Sequence, residues 1–258
     1  MHFTSIPFLV LIIIGFLVVS IERLRRKERL NKLQYAWLNG VVLVLAAWGA
    51  VSGCWSIRGV YVSPEFLNLA PGYWLPFVPV IITVTLVMLA PALRQGLRIL
   101  VDNTPARWFV GIHQLRILAL GSIIKASNDL FPEKFSLYVG IPDLLFGLSA
   151  IWLTAFVLDH RRIADRNLML WHVIGALVIL VPAFGLMHVY MKEPLFTELF
   201  VFPMALAPTF IVPVFVMMNL LVVWRLSERY LTKRVKAADE QANDTESAAG
   251  SARSPESG

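Results

Sequence analysis

Long apolar runs alternate with short polar clusters along this chain. Charges confined to short clusters between such runs mark a polytopic membrane protein. A helix needs about 20 apolar residues to cross roughly 30 Å of hydrocarbon. Seven segments reach that length: Phe3–Ile21, Ala36–Trp55, Trp74–Leu93, Trp108–Ile124, Leu137–Leu158, Leu168–Tyr190 and Phe200–Trp224. The fourth is the least apolar, because it carries His113, Gln114 and Arg116. The pattern predicts an all-α polytopic membrane protein, a bundle of about seven transmembrane helices over residues 1–236. Residues 237–258 are mostly Ala, Ser, Glu and Asp with no apolar period, and are predicted to form a disordered cytoplasmic tail.

Composition supports this class. Hydrophobic residues make up 57% of the 258 and mean hydropathy is +0.68. Charged residues make up only 16%, where a soluble domain has about 25%. The first apolar segment has no basic region before it and no small-residue cleavage site, so an uncleaved anchor is expected rather than a signal peptide. Basic residues then fix orientation. Alternate loops and the tail carry 17 Lys and Arg, from Arg23 to Lys236, and the opposite loops carry only Arg58, Lys134 and Lys192. The N-terminus is expected outside and the C-terminus in the cytoplasm, in the plasma (inner) membrane of a bacterium. The net charge of +6 sits at span ends rather than on one folded face. That distribution points to anionic lipids at the cytoplasmic surface and excludes nucleic acid as the partner. Cys54 is the only cysteine, so no intramolecular disulfide and no cysteine cluster for a metal can form.

Ionisable groups inside a bilayer are costly, so they pair, face a cavity or work. His113 and Arg116 share a face of the fourth segment, and Lys125 and Asp129 stand four residues apart near its outer end. Asp143 lies just inside the fifth segment. A hairpin turning near Pro132–Lys134 places it level with residues 123–126, within reach of Lys125 or Ser122. Two readings stay open: a structural network at the outer interface, or a polar vestibule for a ligand. Arg116 lies eight residues, about 12 Å, from Trp108, too deep to snorkel, with no carboxylate expected at its level. His113 and His172 come to similar depth on different helices, near Asn39 and Asn219, and are candidate ligands for a metal or a b-type haem. Packing histidines are the competing reading. His160 and His188 lie near the two membrane faces and complete no motif.

The last apolar segment holds Pro203, Pro208 and Pro213. The latter two free the carbonyls of Met204 and Thr209 and predict a kink. A freed carbonyl beside a cavity can bind a cation or polar group, which makes Thr209 a candidate ligand-binding position. Several chemistries are excluded. The last segment has no lysine for a retinal Schiff base, and HxxxH, HExxH, GxSxG, Walker and GxGxxG motifs are all missing.

Arg116, Phe131-Pro132, Gly140, Asp143, Leu145, Gly147 and Leu148, with the Pro208–Pro213 run, form a pattern over roughly residues 108–225. It resembles an uncharacterised family of bacterial multi-pass integral membrane proteins, departing at Pro142. The resemblance implies a compact seven-helix protein and no activity. Three functions remain open. The first is a non-enzymatic protein binding or translocating a small polar or ionic solute at Arg116, Asp143, Lys125, Asp129, His113 and Thr209. The second is a haem-binding or redox protein using His113 and His172. The third is an accessory or assembly subunit of a membrane complex.

Overall fold

Proline and asparagine set where the first helices begin. Helix α1 (Ile6–Arg26) carries Pro7 in its first turn, where the missing N–H leaves nothing unpaired. Helix α2 (Lys32–Ile57) opens on a capping box: Asn31 Oδ1 accepts from Gln34 N at 2.8 Å and Asn31 N donates to Gln34 Oε1 at 3.0 Å. The computed structural model describes residues 5–158, 163–190 and 197–251. Short helical turns over 60–77 fold across one end of the bundle, where Tyr61, Phe66, Leu75, Phe131 and Phe200 form a small core of their own.

The third apolar segment is not one straight span. Helix α3 (Leu75–Leu89) stops at Ala90, and α4 (Pro91–Asn103) leaves at 108° to it. Proline at 91 forces Ala90 out of the helical region, to φ −113° and ψ 97°. Helix α4 is amphipathic: Leu93, Gly96, Leu100 and Val101 are buried, while Arg98 and Asp102 reach the last helix. Helices α5 (Ala106–Ala126), α6 (Glu133–Val157) and α7 (Asp165–Tyr190) follow, then a π turn (Ala207–Ile211) that leads into α8 (Val212–Ser251). Among the described residues six helices are long and apolar enough to cross a membrane, and the bent α3–α4 pair makes a seventh if it is one span. Exposed apolar side chains such as Leu43, Met88, Phe156 and Val181 cover the outside of the bundle, a surface suited to lipid.

Helix α8 continues to Ser251, so residues 237–251 are helical where composition predicts disorder. Ala, Glu and Gln, which make up more than half of these residues, are strong helix formers, and their propensity favours continuing the helix. His160, Arg161, Arg162 and Lys192 lie outside the described residues, as does the side chain of His188.

Helices α5 and α6 form an antiparallel hairpin. Helix α5 ends in a Schellman motif: Asp129 takes φ 56°, its N–H reaches Ala126 O at 3.1 Å, and Leu130 N–H reaches Lys125 O at 2.9 Å. The chain therefore turns before the expected Pro132–Lys134. Gly140 then faces Ser122 and Ile123, and Gly147 lies against the backbone of Arg116 and Ile117. That register sets Asp143 opposite about residue 120, a turn deeper than residues 123–126. Glycine is needed at 147, because a Cβ there would stand 2.8 Å from Ile117 N and 3.0 Å from Arg116 C. Backbone atoms cannot swing aside as side chains do. We expect Gly147→Ala to destabilise the purified protein by about 1–3 kcal/mol, the usual range for overpacking. Gly111→Ala, on the same α5 helix with nothing within 4 Å of its Cβ, should be neutral or stabilising. Equal unfolding midpoints for the two variants in denaturant titrations would contradict the α5–α6 contact.

Candidate functional site

The centre of the bundle is organised by a tight stretch of α5. Residues Ile112–Ala119 wind as a 3-10 helix, eight residues where runs of three or four are usual. At about 2.0 Å rise per residue this stretch is longer than an α-helix of the same residues, so it carries Arg116 deeper still. His113 and Arg116, three residues apart, eclipse each other on one face, and both are buried.

Arg116 does not lack a carboxylate at its depth. Its Nε pairs with Asp143 Oδ1 on α6, which corrects the expected pairing of Asp143 with Lys125 or Ser122. The cause is the α5–α6 register, together with the reach of the arginine side chain over one turn. Arg116 Nη1 donates to Gly175 O on α7 at 3.0 Å, and the guanidinium carbon lies 4.2 Å over the Phe146 ring. Arg116 Nη2 is buried without a hydrogen-bond partner. Gly175 allows this approach, since a Cβ there would run into the Phe146 ring. Sequence reasoning missed both Gly175 and Phe146. Nothing in the sequence marks a carbonyl as an acceptor, though a glycine in an apolar helix can signal such a close approach.

A cavity of about 290 Å³ opens from the Lys125 end of the bundle down to Arg116 and Asp143. Its walls are mostly apolar, with Phe77, Ile179 and Phe215 among them; Lys125 and Asp143 are its accessible charged side chains, and Arg116 borders it with its own side chain wholly buried. Two cations and one carboxylate give it a formal charge of +1. Lys125 is exposed and makes no ion pair with Asp129 among the described salt bridges. Asp129 is likewise exposed, and its part is to end α5 through its backbone.

Thr209 stands apart from this group. It is buried, its Oγ1 bonding Ser52 Oγ at 2.6 Å and Ala205 O at 2.7 Å, while Tyr61 donates to Ser52 at 3.0 Å. The carbonyl that Pro213 frees is taken by Trp48 Nε1 at 2.8 Å. The kinked segment therefore locks onto α2 through an indole rather than offering its carbonyl to a ligand. A π turn at Ala207–Ile211 absorbs the winding lost at the prolines.

The two histidines do meet. His113 and His172 have ring centroids 5.9 Å apart, and His172 Nδ1 lies 2.7 Å from Asn219 Oδ1 on α8. Trp171, Phe146 and Phe215 also pack on His113, at centroid distances of 5.7, 5.7 and 5.4 Å. These rings fill the layer around the imidazoles, which touch as packed aromatics. Among the described residues no group of three or more His, Cys, Asp or Glu converges as a metal site.

A charge pair this buried has a clear mutational signature. Removing one partner strands the other charge and costs about 3–5 kcal/mol, whereas removing both can be neutral. Arg116→Leu and Asp143→Leu should each destabilise by that order, and the double variant should recover most of the loss. Additive losses in a double-mutant cycle of unfolding free energies would show that the two side chains do not interact.

No curated protein and no solved structure matches the chain. A family model described as a domain of unknown function (DUF8737) matches residues 73–227, which run from the start of α3 through Arg116, Asp143, His172 and Asn219 into α8. With 155 of 258 residues inside that match, the chain belongs to the family of this domain of unknown function, DUF8737.

Proposed function

We propose that the chain is a multi-pass protein of the plasma membrane, N-terminus outside and C-terminus in the cytoplasm, that binds a small anionic solute with an apolar body. The observation that carries this reading is the Arg116 cavity: apolar walls, a net positive lining and a buried guanidinium with one nitrogen unpartnered. Arginine is permanently charged and offers a planar fork that matches a carboxylate. Asp143 is its resident counter-ion, so an incoming anion shares or takes over part of the guanidinium. Lys125 near the mouth adds attraction for negative charge. The volume of about 290 Å³ is close to the lower end of small-molecule pockets. Orientation rests on the 17-to-3 asymmetry of basic residues between alternate loops. On that orientation the cavity faces outward, and the basic loops meet anionic lipid on the cytoplasmic side.

Thermal unfolding of the detergent-purified protein tests the ligand class. Hexanoate or benzoate at about ten times its dissociation constant should raise the midpoint by roughly 3–5 °C. Acetate, which lacks the apolar body, should do less, and hexylammonium should do nothing. Arg116→Lys keeps the charge and loses the fork, so it should abolish the shift while the protein still folds. A shift from hexylammonium equal to that from hexanoate, or an undiminished hexanoate shift in Arg116→Lys, would overturn the reading.

A further inference from the structure

A second cavity, of about 360 Å³, enters the bundle from the opposite end. Thr104, Arg107, Asp165, His172, Val222 and Arg229 are among its lining residues. The two cavities approach each other along the same helices without joining. On α8, Val216 lines the first and Val222 the second, a separation of about 9 Å along the axis. On α7, Ile179 lines the first and His172 the second, about 10 Å apart. On α5, Arg116 lines the first and Phe109 the second, with His113 between them. The part of the core between the cavities, about 9–10 Å deep, forms a layer that holds His113, Phe146, Trp171 and Asn219.

That layer is unlike the rest of the core. His113 Nδ1 and Nε2, His172 Nε2 and Asn219 Nδ2 are all buried with no hydrogen-bond partner. A permanent plug would carry apolar groups there or satisfy these atoms, because each unmet polar group costs free energy. The backbone through the layer is also unusual, since the 3-10 run Ile112–Ala119 crosses it. Rewinding eight residues from 3-10 to α would shorten that run by about 4 Å and turn Arg116 relative to its neighbours. Charged groups line both cavities: Lys125, Arg116 and Asp143 at the first, and Arg107, Arg229, Asp102 and Asp165 at the second, where the formal charges cancel and Arg229 pairs with Asp102.

We propose that the two cavities are the two halves of one translocation path for an anionic solute, closed by the His113 layer and opened to one side at a time. This rests on the anion-binding reading of the Arg116 cavity and adds passage through the membrane to it. A path with one closed layer must couple its two ends, because a molecule that opens one cavity closes the other.

Cys54 is the only native cysteine, which makes the test direct. In a Cys54→Ser background, Ala119→Cys places a thiol in the Arg116 cavity and Val222→Cys one in the His172 cavity. The probe is the membrane-impermeant anionic reagent 2-sulfonatoethyl methanethiosulfonate, applied to sealed vesicles of known orientation. The first position should react only from outside and the second only from the cytoplasmic side. In the double variant, prior modification at position 119 should slow the reaction at position 222 by roughly fivefold or more. Should Val222→Cys fail to fold, Thr104→Cys reports on the same cavity. Unchanged rates at the inner position, or both positions reacting from one side, would overturn the path. A cationic trimethylammonium-ethyl reagent separates this from the ligand reading. If it reacts at position 119 as fast as the anionic one while the two ends stay coupled, the path stands and the preference for anions falls.

Discussion

A guanidinium inside an apolar bundle needs a counter-charge and hydrogen-bond acceptors at its own depth, and much of the central architecture serves that need. Arg116 takes its carboxylate from α6 and its carbonyl from α7. Both helices must therefore come close to α5, and glycine provides the approach at Gly147 and Gly175. The 3-10 winding of Ile112–Ala119 sets the phase of Arg116 and His113 together. One buried charge thus ties three helices into a fixed register and leaves a positively lined cavity beside it. In a low-dielectric site such a pair specifies its surroundings more than it stabilises them, since neither charge can be left alone.

The long apolar helices were legible because hydrocarbon thickness sets a length that an apolar run either meets or does not, although the third run proved to be broken at Ala90. The hairpin register was not, because it depends on where α5 ends. That end is a left-handed Asp129, a residue type that tolerates positive φ but does not demand it. A shift of the turn by a few residues moved Asp143 from the neighbourhood of Lys125 to Arg116. Pro91 did signal the break at Ala90, yet the apolar run through Leu93 hid it. Arg116, Asp143 and Lys125 could be picked out individually as ionisable groups in apolar surroundings, and all three line one cavity. Thr209 was picked out on the logic of a freed carbonyl. The carbonyl is indeed free of its helix, but an indole from α2 reaches it first.

Basic residues near the helix ends also pair across helices. Arg98 forks onto Glu228, while Arg225 and Arg229 both pair with Asp102, so α4 is clamped along α8 at the end opposite the aromatic cap. The amphipathic α4 is pinned there by charge on one side and by Leu93 and Leu100 on the other. Composition reveals such residues as a count, whereas their pairing needs the bend at Pro91. The His172 cavity is bordered by this clamp, through Asp102 and Arg229.

The contact between Arg116 and Asp143 is the one on which the register of α5 against α6 and α7 depends. Solid-state NMR dipolar recoupling measures it directly, between Nε of Arg116 and Cγ of Asp143 in protein reconstituted in lipid bilayers. A hydrogen-bonded ion pair predicts a separation of roughly 3–4 Å. A separation beyond about 6 Å, outside any direct or hydrogen-bonded contact, would contradict the account and leave Arg116 to find its counter-charge elsewhere.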